Sequence, residues 1–232
     1  MPDPIVMLHP MGASGRIWRG PAGELRRDYQ VMTPDLPGHG ANTAPFSIAR
    51  ATTEVVQILR GLDRPAHLVG SSLGATVALE AALALPGRVQ GLFLSGAMVI
   101  APRTTLAAQR AITAVIPLRL AARFSLDMAD PAVDVDRDTF SDDIRRAGRR
   151  TQSRALRDLA RSTVADRIPG IMAPTWVCCG DRDRLNMASA RLLATRIPGA
   201  TMKLIHDAGH LWHLQRPRLC ADLIREYIAS LS

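Results

Sequence analysis

Six short apolar runs, separated by stretches of helical composition, constrain the fold of this chain more than any other feature. They are Ile5 to Leu8, Gln30 to Thr33, His67 to Gly70, Val89 to Ser95, Thr175 to Cys179 and Thr201 to Ile205. Runs this short fit strands better than helices. Thr52 to Leu62, Ser72 to Leu85, Met187 to Ile197 and Leu211 to Leu231 read as helices between or after them. That alternation predicts an α/β protein: a mostly parallel sheet flanked by helices on both faces. The interval 98–168 carries no strand signal, and its helical stretches are separated by Pro102, Pro117, Pro131 and Gly148. It predicts a helical cap inserted into a core made of residues 1–97 and 169–232.

With 232 residues, 47% of them hydrophobic, the chain can bury one large core. No apolar run approaches the ~20 residues needed to cross a bilayer, and the first ten residues lack the pattern of a signal peptide. A soluble, cytoplasmic protein with no membrane partner is expected. Cys178, Cys179 and Cys220 are an odd set without metal-ligand spacing, so they are expected to be reduced core residues, with no metal bound. The net charge of +8 comes almost wholly from arginine, Lys203 being the only lysine. Such a balance suits an anionic partner. Nucleic acid is excluded as that partner, because no nucleic-acid module is recognisable and aromatic residues for stacking make up only 4%.

Chemistry enters at Gly70-Ser71-Ser72-Leu73-Gly74, which follows a strand and opens a helix. On such a turn the central residue is strained, and the flanking glycines let strand and helix approach closely, which exposes the Ser72 hydroxyl. The Leu73 N–H falls at the helix N-terminus, where unsatisfied donors and the helix dipole favour developing negative charge. A serine before a helix is also a common N-cap, so the pattern alone leaves both readings open. A serine nucleophile needs a base, and the base an orienting carboxylate. Asp181 and Asp183 follow the strand ending at Cys179, and His210 follows the strand ending at Ile205, which puts all three loops on the C-terminal rim of the sheet.

These residues resemble the α/β-hydrolases over nearly the whole chain, in the elbow motif and in the order serine, aspartate, histidine. The resemblance implies that Asp183 of the Gly-x-x-Asp turn is the acid and His210 of the Gly-His pair the base. It further implies that Leu8-His9-Pro10-Met11-Gly12 is similar to the family's His-Gly-x-Gly loop, with Met11 as second oxyanion donor beside Leu73. Proline stands there in place of the usual first glycine. Asp35-Leu36-Pro37-Gly38-His39-Gly40 is similar to the family's turn after the next strand and carries no direct chemistry. Relatives usually begin with an antiparallel hairpin ahead of the first strand, which implies a sheet shortened at that edge.

His9, Trp18, Met98 and Trp212 are candidates for lining the substrate pocket, although a histidine ending a strand and large aromatics also serve as structural or core residues. Between Arg145 and Arg161 lie seven arginines and a single acid, Asp158. On an unbroken helix Arg146, Arg150, Arg154, Arg157 and Arg161 would share a face able to hold an anionic substrate, coenzyme A or an acidic carrier protein. The same stripe also reads as a solvated surface, the usual role of a charge run, and Gly148 can interrupt it. The expected activity is hydrolysis, without a cofactor, of an ester or thioester of a small to medium, partly apolar acid. Members of the family that are lyases, carbon-carbon bond hydrolases or non-catalytic receptors supply the alternatives.

Overall fold

The computed structural model describes residues 2–100, 103–117, 120, 123 and 134–231. Its six strands are β1 (Pro4–Leu8), β2 (Gln30–Met32), β3 (Ala66–Ser71), β4 (Val89–Ser95), β5 (Thr175–Gly180) and β6 (Thr201–Ile205). They form one sheet in the order β2-β1-β3-β4-β5-β6, with every pair parallel. Side chains alternate between two apolar layers, as the twofold period of a strand demands. Val6, Leu8, Leu68, Leu92, Leu94, Val177 and Cys179 enter one layer, while Ile5, Met7, Val69, Phe93, Trp176 and Cys178 enter the other. All three cysteines are free and buried.

The first layer is closed by α2 (Ile48–Gly61), α3 (Leu73–Ala84) and α7 (Met187–Arg196), the second by α1 (Arg19–Leu25) and α9 (Pro217–Ala229). Helix α2 shows why: Ile48, Ala51, Val55 and Leu59 recur at helical spacing and are all buried, while Ser47 caps the N-terminus by accepting from the Arg50 N–H. Helix α3 is different. Nine of its twelve residues are buried, so it has no polar face and passes through the core behind the sheet.

Two elements depart from the sequence expectation. The final helix expected from Leu211 to Leu231 is split into α8 (Trp212–Gln215) and α9. Pro217 is responsible: it lacks an N–H and drives Arg216 to φ −131, ψ 65, outside the helical region. Conversely α1 forms despite Gly20, Pro21 and Gly23. A Cβ on Gly20 would lie 2.7 Å from the Pro217 side chain, so the missing side chain is what lets α1 lie against α9.

Between β4 and β5 the described residues form α4 (Arg103–Val115), α5 (Asp134–Arg161) and α6 (Val164–Arg167), with no strand among them. Helix α4 ends two residues before Pro117, whereas Pro102 and Pro131 lie outside the described residues. Helix α5 breaks at Gly148, which adopts φ 68, ψ 171. Arg146 is thereby separated from Arg150, Arg154, Arg157 and Arg161, and the continuous five-arginine face does not form. No helix among the described residues is long and apolar enough to cross a membrane.

Candidate active site

A parallel sheet delivers the C-terminal ends of its strands to one edge, and here the loops after β1, β3, β4, β5 and β6 meet there. Gly70 at the end of β3 pairs in register with Leu8 and Leu94, and Gly180 at the end of β5 with Ile205. Ser72 occupies the β3–α3 turn at φ 52, ψ −114, a conformation that side-chain-bearing residues avoid, and its side chain makes no capping hydrogen bond. Two close approaches enforce the turn. A Cβ on Gly70 would fall 2.5 Å from the Ala75 Cα, and one on Gly74 would fall 2.2 Å from the Leu8 carbonyl oxygen. The Ser72 N–H donates to the Ser95 carbonyl at 2.8 Å, which ties the strained residue to β4.

His210 and Asp183 form a pair, with Nδ1 2.7 Å from Oδ2. A carboxylate only accepts, so Nδ1 carries the proton and Nε2 is left as the basic nitrogen. Asp183 is buried and also accepts from Asn186, whose Nδ2 lies 2.8 and 2.9 Å from its two oxygens. Burial pushes the Asp183 carboxyl up. The hydrogen bond and charge of His210 and the Asn186 donors outweigh that and hold it below the usual carboxylate range. Asp183 is therefore an anion near neutral pH.

The loops carrying this pair are held by their neighbours. A Cβ on Gly180 would lie 2.2 Å from the Ala208 carbonyl oxygen, and the Arg182 N–H donates to that same oxygen at 3.0 Å. Asp181 accepts from the N–H groups of Asp207 and Ala208 at 3.0 and 3.2 Å, which supports the left-handed Asp207 (φ 52). The position of Asp181 is thus that of a clamp on the histidine loop. Gly96, after β4, contributes by absence: a Cβ there would meet His210 Nδ1 and Cε1 at 2.8 Å.

Ser72, Asp183, Asn186 and His210 line one cavity of about 140 Å³ together with Met11. The Ser72 hydroxyl makes no side-chain hydrogen bond among the described residues and shares this cavity with the His210 ring. Met98, Phe140, Leu156, Leu159 and Leu211 make most of the wall apolar, Phe140, Leu156 and Leu159 coming from α5. Neither the Met11 nor the Leu73 N–H has a backbone acceptor among the described residues, and Leu73 is the first residue of α3.

Of the pocket candidates, Met98 lines this cavity and the other three do not. His9 is fully buried; its Nε2 accepts from the Leu36 N–H at 2.9 Å and its Nδ1 donates to the Pro10 carbonyl at 2.8 Å. Burial lowers its pKa to about 4, against opposing pulls from Pro10 and Asp35, so it is a neutral strut for the loop. Trp18 stacks on His213 with ring centroids 4.5 Å apart. Trp212, also buried, donates from Nε1 to the Ser95 hydroxyl at 2.8 Å. Proximity to His210 in sequence did not place Trp212 in the pocket: His210 lies in the turn ahead of α8, whereas Trp212 is the first residue of that helix and is buried in the second apolar layer. Asn186 and Gly96 were missed; the one available signal was that Asn186 lies three residues beyond Asp183, one helical turn.

The Alpha/beta hydrolase family model matches residues 5–223. The pimeloyl-acyl-carrier protein methyl ester esterase of Aromatoleum aromaticum is 31% identical over 255 aligned residues, covering 98% of either chain. The magnesium-chelatase 30 kDa subunit of Rhodobacter capsulatus is 29% identical over 231, covering 90% of this chain and 81% of that one. Among solved structures, the enol-lactonase from Burkholderia xenovorans LB400 superposes with a TM-score of 0.88 at 20% identity, covering 99% of this chain and 92% of that one. The last is a likeness of fold. Because the family match runs from β1 into α9, the chain is a member of the alpha/beta hydrolase family of enzymes.

Proposed function

We propose that the protein hydrolyses a carboxylic ester or thioester of a small to medium, partly apolar acid through an acyl-enzyme on Ser72. One observation carries the reading: the hydroxyl displayed by the left-handed Ser72 and the imidazole held by Asp183 face the same largely apolar cavity. His210 Nε2 takes the proton as Ser72 Oγ attacks the carbonyl. The oxyanion is received by the N–H groups of Met11 and Leu73, each such donor contributing ~3 kcal/mol to lowering the barrier. His210 then protonates the departing alcohol or thiol, and water, deprotonated by His210, releases the acid and restores Ser72. Throughout, Asp183 stays ionised and steadies the imidazolium. A cavity this size holds about one benzene ring, which favours a short acyl part.

The arginines support an anionic leaving group. Arg110, Arg157 and Arg161 border a groove between α4 and α5 that shares Leu156 with the catalytic cavity. Among the described residues Arg110 and Arg161 have no acidic partner, while Arg157 has Asp158 at 3.6 Å. Coenzyme A or an acidic carrier protein suits these donors, in keeping with the substrate named for the Aromatoleum esterase. Three free cysteines fit the reducing cytoplasm.

The test is labelling by a fluorophosphonate probe together with turnover of nitrophenyl esters from acetyl to octanoyl. Wild type is expected to label and to favour the shorter chains. Ser72→Ala is expected to lose both labelling and at least ~10⁴-fold in turnover. A wild type that neither labels nor turns over any ester would leave a binding protein instead.

A further inference from the structure

We infer that Asp143 is a positioning residue, through which the helical segment over the cavity sets the backbone of the loop presenting the Met11 N–H. The inference rests on the reading of Met11 as an oxyanion donor. The loop from Pro10 to Ser14 holds little of its own shape: Gly12 sits at φ 80, and its internal backbone bond is that from Ala13 N–H to the Pro10 carbonyl at 3.2 Å. What fixes it comes from outside.

Two ties belong to the core. His9 bridges the Leu36 N–H and the Pro10 carbonyl, and the Gly15 N–H donates to Asp35 at 2.7 Å. The third tie comes from α5. The Ser14 hydroxyl donates to Asp143 Oδ2 at 2.7 Å, and the Arg16 guanidinium binds Asp143 Oδ1. Asp143 is wholly buried, and beside it Ile144 covers Gly12 so closely that a Cβ there would lie 3.1 Å from Ile144 Cγ1. Arg16 also reaches Asp142 at 3.1 Å, and Asp142 takes Arg146 at 2.7 Å.

A buried carboxylate stripped of its partners is strongly unfavourable, so α5 cannot lift from the loop without breaking this cluster or drawing the loop with it. Ser14 passes the constraint on, since its hydroxyl also accepts from the Arg16 N–H at 3.3 Å and caps the 3₁₀ turn Gly15–Trp18. Phe140, nearly one helical turn before Asp143, lines the cavity. The same helix that touches the acyl group therefore governs the oxyanion donor, while the ties through His9 and Asp35 are indifferent to it.

The experiment compares wild type with Asp143→Asn and Ser14→Ala in the full chain, the second variant serving if the first fails to fold. Three readouts are taken: kcat and KM for a nitrophenyl ester, Ki for a trifluoromethyl ketone, and amide hydrogen exchange of residues 11–14. Ser72 adds to the ketone, its proton passing to His210, and the resulting oxyanion needs the same donors as the reaction. In both variants kcat is expected to fall roughly 10- to 100-fold with KM changed less than about twofold, as for a donor displaced by a fraction of an ångström. Ki should rise by the factor that kcat loses, and the loop amides should exchange faster. Unchanged kcat, Ki and exchange, with only a lower melting temperature, would reduce Asp143 to a structural ion pair and overturn the inference. A wild type inert toward every ester would sink the hydrolase reading, and loop exchange would still decide the role of Asp143.

Discussion

The rim of the sheet and the helices between β4 and β5 enclose one cavity, but they are held in place by different forces. At the rim the constraint is close approach to bare backbone: a Cβ on Gly70, Gly74 or Gly180 would meet other backbone at 2.2 to 2.5 Å, and one on Gly96 would meet the His210 ring at 2.8 Å. On α5, Gly148 faces open space, with nothing within 4 Å of where its Cβ would be. The rim leaves no room for error, whereas α5 adheres through side chains that can be exchanged. On the proposed function, reaction geometry resides mainly in the rim, Asp143 being the residue through which α5 reaches it, while the acyl and leaving groups are left to residues of α5 that are free to vary.

The rim should break first and hardest. Asp183→Asn keeps the shape but can favour the wrong imidazole tautomer, and is expected to lower kcat by about 10⁴-fold. Gly96→Ala drives a methyl into His210 and is expected to cost at least ~100-fold in kcat, with a lower melting temperature. Gly148→Ala is the control from the other region. It meets no atom, but its backbone (φ 68, ψ 171) lies in a region essentially restricted to glycine, which costs ~1–3 kcal/mol in stability and should leave nitrophenyl ester turnover within about twofold of wild type. Equal kcat losses in the two glycine variants would erase the distinction between the regions.

That difference in forces also decided what the sequence disclosed. Strands announce themselves by local apolar runs, and the motif glycines flanking Ser72 announce a close approach, so the sheet and its rim were legible. Gly96 and Asn186 were not, because their partners, His210 and Asp183, are brought to them by other loops. His9, Trp18 and Trp212 misled for a related reason: an apolar or aromatic residue near the motif in sequence gives no sign of which layer it enters. Pro217 was in view, yet the apolar period on both sides of it looked continuous, and only the non-helical Arg216 backbone reveals the break. In α5, composition gave the arginines, while the twist at Gly148 decides which of them stand together.

Asn186 sharpens the comparison at intermediate scale. Its amide donates to both oxygens of Asp183, charge-assisted bonds of ~1.5–3 kcal/mol. Asn186→Ala is expected to lower kcat by roughly tenfold and to raise the Asp183 pKa, since burial then acts on the carboxyl with less opposition. The stability effect follows the same sign. A carboxyl held low in the native state stabilises it above the unfolded carboxylate pKa, a contribution lost as pH falls through the native value. Raising the native pKa shrinks that contribution and shifts its loss upward in pH, which acid denaturation of the two proteins would register. An unmoved acid-denaturation midpoint would mean that His210 alone keeps Asp183 ionised.

The smallest effect belongs to the arginines, and it tests whether α5 reads charge at all. Arg157 and Arg161 are exposed, so replacing both with serine should change stability by no more than about 0.5 kcal/mol. What should change is discrimination. KM for a coenzyme A thioester is expected to rise several-fold more than KM for a neutral ester of the same acid. That gap should close near 1 M salt, where the Debye length falls to ~3 Å. A gap that persists at high salt would point to packing of the arginine stems rather than to their charge. No gap at any salt would leave the arginines as solvated surface, and recognition of the leaving group would have to come from the apolar walls around Leu156.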